Sequence, residues 1–212
     1  TEIYTLSLHD ALPIYSTMMQ FTDRQQEIIE ISIELIAKKG IQSLTIKNIA
    51  RQMGVTEPAL YRHFTNKMDI LLSILDYFED RARGHLKRML EQEGNSLEKL
   101  EGIVSSHCKN FSARPTMAVV IFSEEIFRND PRLSEKVFSI MKLHQEAMEK
   151  IIGEGQSRGE IRQDISEGDI CLLVLGALRL LVTRWRMSRF GFDLLSEGQK
   201  MCLCIQKIVK AN

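Results

Sequence analysis

Residues 45–67 read TIKNIARQMGVTEPALYRHFTNK, two short apolar-patterned segments on either side of a glycine. In the first segment Ile46, Ile49 and Met53 recur at helical spacing, and Gly54 ends the pattern where a turn of positive φ is needed. Two short helices joined by a glycine-containing turn form a helix-turn-helix, whose second helix enters the major groove of DNA. The apolar residues expected to form its shared core are Ile46, Ile49, Ala50, Val55, Leu60 and Phe64.

Basic residues are concentrated around this segment, although the whole chain carries 28 Lys and Arg against 28 Asp and Glu. Between Ile36 and Lys67 the only acidic residue is Glu57. The basic residues of the same stretch are Lys38, Lys39, Lys47, Arg51, Arg62 and Lys67. This local excess of positive charge suits contacts with DNA phosphates. On charge alone, a solvated basic face on an ordinary helical bundle is the alternative.

The same stretch closely resembles the DNA-binding motif of the TetR family of repressors. In the family, a helix ending like AKKG, found here at residues 37–40, precedes the pattern T-x-x-x-I-A-x-x-x-G-V-x-x-x-x-L-Y-x-H-F-x-x-K. Its fixed positions are all matched here, by Thr45, Ile49, Ala50, Gly54, Val55, Leu60, Tyr61, His63, Phe64 and Lys67. The resemblance covers about the first quarter of the chain. It implies an N-terminal three-helix DNA-binding domain and a C-terminal helical bundle for ligand binding and dimerisation.

Several polar residues of the motif are expected to hold the DNA backbone. Thr45, at a helix N-terminus, can offer its hydroxyl and its backbone N–H to a phosphate, and Lys47 is similarly placed. The resemblance implies that Tyr61 and His63 grip phosphates, with Lys67 at the start of the next helix. A metal or acid–base role for His63 lacks a Cys, Asp or second His at ligand spacing.

Base reading is expected at the start of the second helix of the motif, from Thr56, Glu57, Ala59 and Arg62, with Pro58 in the same turn. Glu57 can accept a hydrogen bond from a cytosine amino group, and Ala59 can touch a thymine methyl. The alternatives are helix capping for Thr56 and plain surface for Glu57.

From Phe21 onward nearly every segment has a helical pattern with polar caps, and no run alternates for long with a period of two. We therefore predict an all-α fold of about nine helices. The sixth is expected at roughly 117–128, and Pro131 begins the seventh. The eighth is expected to end at Gly191 and the last to begin at Ser196.

Residues 1–14, TEIYTLSLHDALPI, have neither helical nor strand periodicity. They resemble a translated synthetic adapter oligonucleotide of the kind used in sequencing libraries. We therefore interpret residues 1–17 as a non-native or disordered segment. The rest of the chain is predicted to comprise a helix-turn-helix DNA-binding domain over 18–66 and a ligand-binding and dimerisation domain over 67–212.

The last two predicted helices of such proteins pair with those of a second subunit in a four-helix bundle. The first of the two is apolar nearly all round, and burial within the monomer alone is the alternative. The expected interface residues are Leu172, Leu175, Gly176, Arg179, Leu203 and Lys207. A two-fold dimer places its recognition helices about one duplex turn apart, which predicts a near-palindromic operator.

The resemblance places an effector pocket among the middle helices. The aromatic and sulfur-containing residues expected to line it are Phe78, Phe111, Met117, Phe122, Phe127, Met148 and Trp185. Plain core packing is the alternative for residues at helical spacing. Arg184 and Arg186 can meet an anionic ligand or face solvent, and the sequence does not identify the effector.

We expect a cytoplasmic, ligand-responsive repressor whose partners are double-stranded operator DNA, a second copy of the chain and a small-molecule effector. No cofactor, metal or membrane partner is expected. The four cysteines include no C-x-x-C pair, and the longest apolar stretch, 170–182, is too short to span a bilayer. One alternative is a nucleoid-occlusion factor, whose TetR-like relatives carry a similar E-x-A-L-Y-R-H-F run. A helical enzyme is a third possibility, but the sequence contains no catalytic constellation.

Overall fold

The computed structural model describes residues 21–128 and 130–211, so the interpreted segment 1–17 lies outside the described residues. Within these ranges the helices are α1 (Asp23–Lys39), α2 (Ile46–Met53), α3 (Glu57–Tyr61), α4 (Lys67–Glu91), α5 (Ser96–Ala113), α6 (Pro115–Ile121), α7 (Glu124–Phe127), α8 (Pro131–Ser157), α9 (Glu167–Met187) and α10 (Leu194–Val209). A short 3-10 turn, Ile41–Ser43, follows α1, and Ile161 forms an isolated antiparallel bridge with Lys210. The predicted all-α fold is confirmed.

Packing divides the chain into two compact units. Among the described residues, the first unit comprises 21–80 together with 110–139, and the second comprises 81–109 together with 140–211. The divisions fall inside α4, α5 and α8, so each of these helices contributes residues to both units.

The first unit is built on α1, whose two ends follow from the sequence. Thr22 and Gln25 form a capping box, in which the backbone N–H of Thr22 donates to the Gln25 side chain at 3.1 Å. Gly40 ends the helix with a φ of 76°. The buried face, which includes Ile28 and Ile29, lies on the side of α1 that packs against α2 and α6.

Buried charge in the first unit is paired. Lys136 of α8 forms ion pairs with Asp76, at 2.6 Å, and with the almost fully buried Glu79. Close by on α4, the Tyr77 hydroxyl donates to a carboxylate oxygen of Glu30 on α1 at 3.3 Å. A buried carboxylate is tolerated when it has such partners, and these contacts tie α4 to α1 and α8.

In the second unit α9 and α10 pack against each other, and Ser166 caps the start of α9. Two glycines allow close approach. A Cβ at Gly155 would lie 2.6 Å from the Ser96 side chain, and a Cβ at Gly198 would lie 2.6 Å from the Cys108 sulfur. Larger residues at either position would push packed elements apart.

The predicted sixth helix is two helices. Its first part, α6, ends at Ile121, and the Ser123 hydroxyl donates to the Val119 carbonyl near the end of that helix. The backbone N–H of Ser123 bonds the carbonyl of Val120, three residues back, at 3.1 Å, so the α-helical hydrogen-bond pattern stops there. The described residues therefore contain ten α-helices, where the sequence predicted about nine.

Two further predicted boundaries were wrong. α9 ends at Met187, before Gly191, because Arg189 and Phe190 adopt positive φ angles of 57° and 64° that a helix cannot contain. α10 begins at Leu194 because Asp193, not Ser196, supplies the cap. Among the described helices, none combines the length and the apolar character that crossing a bilayer requires.

Candidate nucleic-acid interface

Helices α2 and α3 form the predicted helix-turn-helix. Thr45 caps α2 by accepting a hydrogen bond from the N–H of Asn48 at 3.1 Å. Gly54 ends α2 in the left-handed region, with φ 68° and ψ 29°. The N–H of Val55 then donates to the carbonyl of Ala50 at 3.0 Å, which closes the turn before α3. A side chain at Gly54 would strain this backbone, so the glycine fixes the direction of the turn.

The predicted core of the motif is largely buried. Ile49, Ala50, Leu60 and Phe64 are buried, whereas Ile46 and Val55 are half-buried. α3 has only five residues, too few for a helix to be stable by its own hydrogen bonds. Side-chain packing against α2 therefore holds α3 in place.

The residues predicted to touch DNA reach the surface of the first unit. Those that are exposed are Thr45, Lys47, Thr56, Glu57, Pro58, Tyr61 and Arg62, and those that are half-buried are Ala59, His63 and Lys67. Tyr61 is 52% exposed despite its large ring. A tyrosine placed in this way suits a contact surface, because the ring supplies contact area and the hydroxyl can bond a phosphate.

Thr45 and Thr56 differ in whether their side chains make a cap hydrogen bond. The Thr45 hydroxyl oxygen accepts the cap bond of α2, which leaves its own hydrogen available for a phosphate. Thr56 stands at the corresponding position before α3 but makes no side-chain cap bond. The capping interpretation of Thr56 is therefore not supported by the structure.

Lys67 has a structural contact that the sequence did not indicate. Its ammonium group donates to the backbone carbonyl of Ile41 at 3.2 Å, across 26 residues of sequence. Asn66 caps the start of α4, because its side-chain oxygen accepts a hydrogen bond from the N–H of Asp69 at 3.0 Å. A hydrogen bond from the Thr65 side chain lowers the pKa of the Asp69 carboxyl. Lys67 thus joins the start of α4 to the turn before α2.

A shallow groove beside α2 contains two basic residues for which the sequence predicted no individual contact. It has a volume of about 300 Å³ and is lined by Leu35, Lys39, Asn48, Arg51 and Gln52. The Arg51 guanidinium donates to the Asn48 side-chain oxygen at 2.7 Å, which orients it along α2. The only sequence signal for this groove was the local excess of basic residues.

The residues predicted to line an effector pocket fall into both units. Phe78, Phe111, Met117, Phe122 and Phe127 belong to the first unit, and Met148 and Trp185 belong to the second. In the first unit the rings of Phe111 and Phe122 meet edge to face, with centroids 5.6 Å apart. In the second unit Trp185 is buried, and its ring meets that of Phe190 with the centroids 4.7 Å apart. These are contacts of a packed core, so the lining of an effector pocket stays a prediction.

The second unit also contains a small apolar pocket that none of the predicted residues line. Its lining includes Leu97, Leu100, Val104, Val174, Cys202, Ile205 and Val209. The pocket has a volume of about 10 Å³, which is close to what one water molecule needs. An effector of ordinary size cannot occupy it without movement of the lining.

Apolar side chains are exposed along α9 and α10. Leu172 is 72% exposed and Leu203 is 56% exposed. The other predicted interface residues are exposed at Gly176, Arg179 and Lys207 and half-buried at Leu175. A Cβ at Gly176 would meet no atom within 4 Å, so this face is open within the chain. Exposed apolar surface of this kind is typical of an interaction site.

Two family models match the chain. The model described as "Bacterial regulatory proteins, tetR family" matches residues 28–74, and the model described as "YsiA-like protein, C-terminal region" matches residues 78–207. The chain belongs to the TetR family. This TetR-family protein is a DNA-binding transcriptional regulator, and α2 and α3 are its helix-turn-helix.

Known relatives resemble this TetR-family chain over most of their length. The fatty acid metabolism regulator protein of Bacillus subtilis is 27% identical over 84% of this chain and 92% of its own length. The nucleoid occlusion factor SlmA of Vibrio campbellii is 21% identical over 81% of this chain and 88% of its own length. The solved structure of FadR from Bacillus subtilis in complex with stearoyl-CoA has a TM-score of 0.73 and 24% identity, covering 85% of this chain and 96% of that one.

Proposed function

We propose that this TetR-family regulator is a repressor that binds a near-palindromic operator as a homodimer and releases it when a small-molecule effector binds. The observation that carries the proposal is the exposed face of α2 and α3. There Lys47 of α2 is exposed, as are Glu57 at the start of α3 and Tyr61 at its end. Phosphate-binding groups that flank a side chain able to read a base edge are what an operator-binding protein needs.

We assign DNA binding to residues 18–66 and effector binding with dimerisation to residues 67–212. The proposed phosphate contacts come from Thr45, Lys47, Tyr61, His63 and Lys67, and the proposed base contacts come from Thr56, Glu57, Ala59 and Arg62, with Pro58 in the same turn. Contacts with the backbone set the register of the protein on the duplex, whereas contacts with base edges select the sequence.

The exposed apolar residues of α9 and α10 support the homodimer. Leu172 and Leu203 lie on neighbouring helices, and leaving both in water is unfavourable. A second copy related by two-fold symmetry presents the same residues and buries them on both subunits. Gly176 has open space in front of it, which allows a partner helix to approach closely.

For the effector we propose a long-chain acyl thioester. The support is the likeness to the Bacillus subtilis fatty acid metabolism regulator and to the FadR structure that holds stearoyl-CoA. An acyl chain suits apolar and aromatic surroundings such as those of the buried Trp185 in the second unit. Arg184, which is exposed, offers a cation for the phosphates of the coenzyme.

The second candidate is a nucleoid-occlusion factor, which binds many chromosomal sites. Its support is the likeness to SlmA, at 21% identity. Footprinting across the genome separates the two functions. Protection of one or a few promoters favours the repressor, whereas sites spread along the chromosome favour the second candidate.

The decisive experiment is a footprint on the promoter of the protein's own gene, with and without stearoyl-CoA. We expect protection of a near-palindrome that is lost when the acyl thioester is added. Tyr61→Ala should abolish protection, whereas Phe138→Ala should retain it, because Phe138 is also an exposed aromatic residue but lies on α8, outside the helix-turn-helix. Protection that ignores stearoyl-CoA would overturn the effector class, and protection that survives Tyr61→Ala would overturn the interface.

A further inference from the structure

Three histidines of the second unit lie close together, each on a different helix. His85 is on α4, His107 on α5 and His144 on α8. The ring centroids of His107 and His144 are 5.2 Å apart, and those of His85 and His107 are 6.3 Å apart. The Nε2 atom of His85 is buried and has no hydrogen-bond partner. None of the three belongs to the DNA interface, so the cluster calls for a separate explanation.

The hydrogen bonds of two of these rings determine which nitrogen atoms carry hydrogen. Nδ1 of His107 lies 2.8 Å from the carbonyl oxygen of Ile103, and Nδ1 of His144 lies 2.8 Å from that of Ile140. A carbonyl oxygen only accepts, so each Nδ1 must donate. In a neutral ring Nε2 then has a lone pair and no hydrogen. The two Nε2 atoms are 3.3 Å apart, so their lone pairs face each other.

One proton between these two nitrogen atoms would turn the facing lone pairs of His107 and His144 into an N–H···N hydrogen bond and leave both bonds to carbonyl oxygens intact. It would also place a positive charge among buried side chains, and the cost of burying that charge outweighs the gain of one hydrogen bond. A second proton would place two positive charges side by side, so the pair takes up one proton and resists another. In the part of the chain that the structure describes, no three His, Cys, Asp or Glu side chains are arranged to hold a metal ion.

The surroundings of the cluster oppose this proton at neutral pH. Burial is the main cause that lowers the pKa of His85 and of His107, each to about 4, and it also lowers the pKa of His144. The other histidines of the cluster and Arg88 of α4 also act on the rings, and each of them repels a proton. The nearest acidic residue along α8, Glu146, is two positions from His144 and therefore faces another side of the helix, where Lys142 pairs with it at 3.5 Å.

We propose that His85, His107 and His144 form a proton-sensing cluster, which is uncharged at neutral pH and loosens the second unit when mild acid forces a proton onto it. In an unfolded chain the histidine pKa is about 6.5. The unfolded state therefore binds more protons than the folded state as the pH falls below about 6.5, so folded stability is lost from there towards about pH 4. The proposal does not depend on the identity of the operator or the effector.

Trp185 reports on the second unit, because it is buried there and is the one tryptophan of the sequence. We would measure urea unfolding by Trp185 fluorescence between about pH 7.5 and about pH 5, with EDTA present so that the titrating species is the proton. The urea midpoint of the wild-type protein should fall as the pH drops below about 6.5. In the double variant His107→Gln with His144→Gln, that fall should shrink by at least half.

His63→Gln is the matched control, since it removes a histidine from the first unit. It should retain the wild-type fall in the Trp185 transition. An equal fall in the double variant and in the wild-type protein would overturn the proposal.

The double substitution can prevent folding, so nitrogen NMR of the histidine rings in the wild-type protein provides a second test. We expect His107 and His144 to carry hydrogen on Nδ1 at neutral pH and to take up a single shared proton well below about pH 6.5. Rings that titrate independently at the ordinary histidine pKa would overturn the proposal.

Discussion

Lys67 and Thr45 each combine a structural contact with a proposed contact to DNA. The Lys67 ammonium group bonds the carbonyl of Ile41, and the Thr45 hydroxyl oxygen accepts the cap bond of α2. Both groups keep hydrogens that can reach a phosphate. A loss of affinity after substitution therefore mixes two effects, and the salt dependence of binding is needed to separate them.

Lys67→Ala should weaken binding to every DNA sequence and reduce the slope of log affinity against log salt by about one unit, because one phosphate contact is lost. Fluorescence anisotropy with operator and unrelated duplexes over a range of salt concentrations measures both quantities. Lys142→Ala removes the same charge from an exposed site on α8 and should leave the slope unchanged. An unaltered slope in Lys67→Ala would restrict Lys67 to its bond with Ile41.

At the scale of the secondary-structure elements, the turn between α2 and α3 depends on one residue. Gly54 has left-handed dihedral angles, and a Cβ there would meet no atom within 4 Å. The cost of a side chain is therefore backbone strain and not a steric clash. Since α3 has five residues and relies on α2, strain in this turn also displaces the surface proposed to read bases.

Gly54→Ala should lower the free energy of unfolding by about 1–2 kcal/mol, the cost of a left-handed conformation for a residue with a Cβ. Urea unfolding followed by circular dichroism measures this change. Gly54→Asn should lose less, because asparagine tolerates left-handed dihedral angles better than alanine. If alanine and asparagine were equally tolerated without loss, the turn would not require its present geometry.

At the scale of the whole molecule, the exposed face of α9 and α10 is what a single chain leaves unsatisfied. On α9, Val174 and Leu178 are buried within the second unit, whereas Leu172 and Leu180 are exposed. A helix that is apolar on both sides fits one face packed within its own fold and another face available to a partner. The oligomeric state is the property that tests this interpretation.

Leu172→Glu should shift the protein from dimer to monomer, because a buried carboxylate without a partner strongly disfavours association. Sedimentation velocity at several concentrations measures the shift. Phe138→Glu is the control, since Phe138 is 68% exposed on α8 and lies outside the proposed interface. A dimer that withstands Leu172→Glu would place the interface elsewhere.

The helix-turn-helix was predictable from sequence because its determinants are local. Thr45 and Gly54 set the ends of α2, and the apolar spacing between them gives the buried side of the helix. Boundaries were missed near Ser123, where the backbone hydrogen bond spans three residues, and at Asp193, whose side chain caps α10. Neither hydrogen bond is visible in the apolar spacing, so the pattern alone did not select these boundaries.

The sequence by itself determined the all-α class, the turn at Gly54 and the family motif, since all three depend on residues within a few positions of one another. Only the tertiary structure brought Lys67 to Ile41 and placed His85, His107 and His144 side by side, because these contacts join residues far apart in the chain. It also decided which apolar residues of α9 are buried and which remain exposed. Helical periodicity gives the angle of a side chain around its axis, but what lies opposite that angle depends on how the other helices pack.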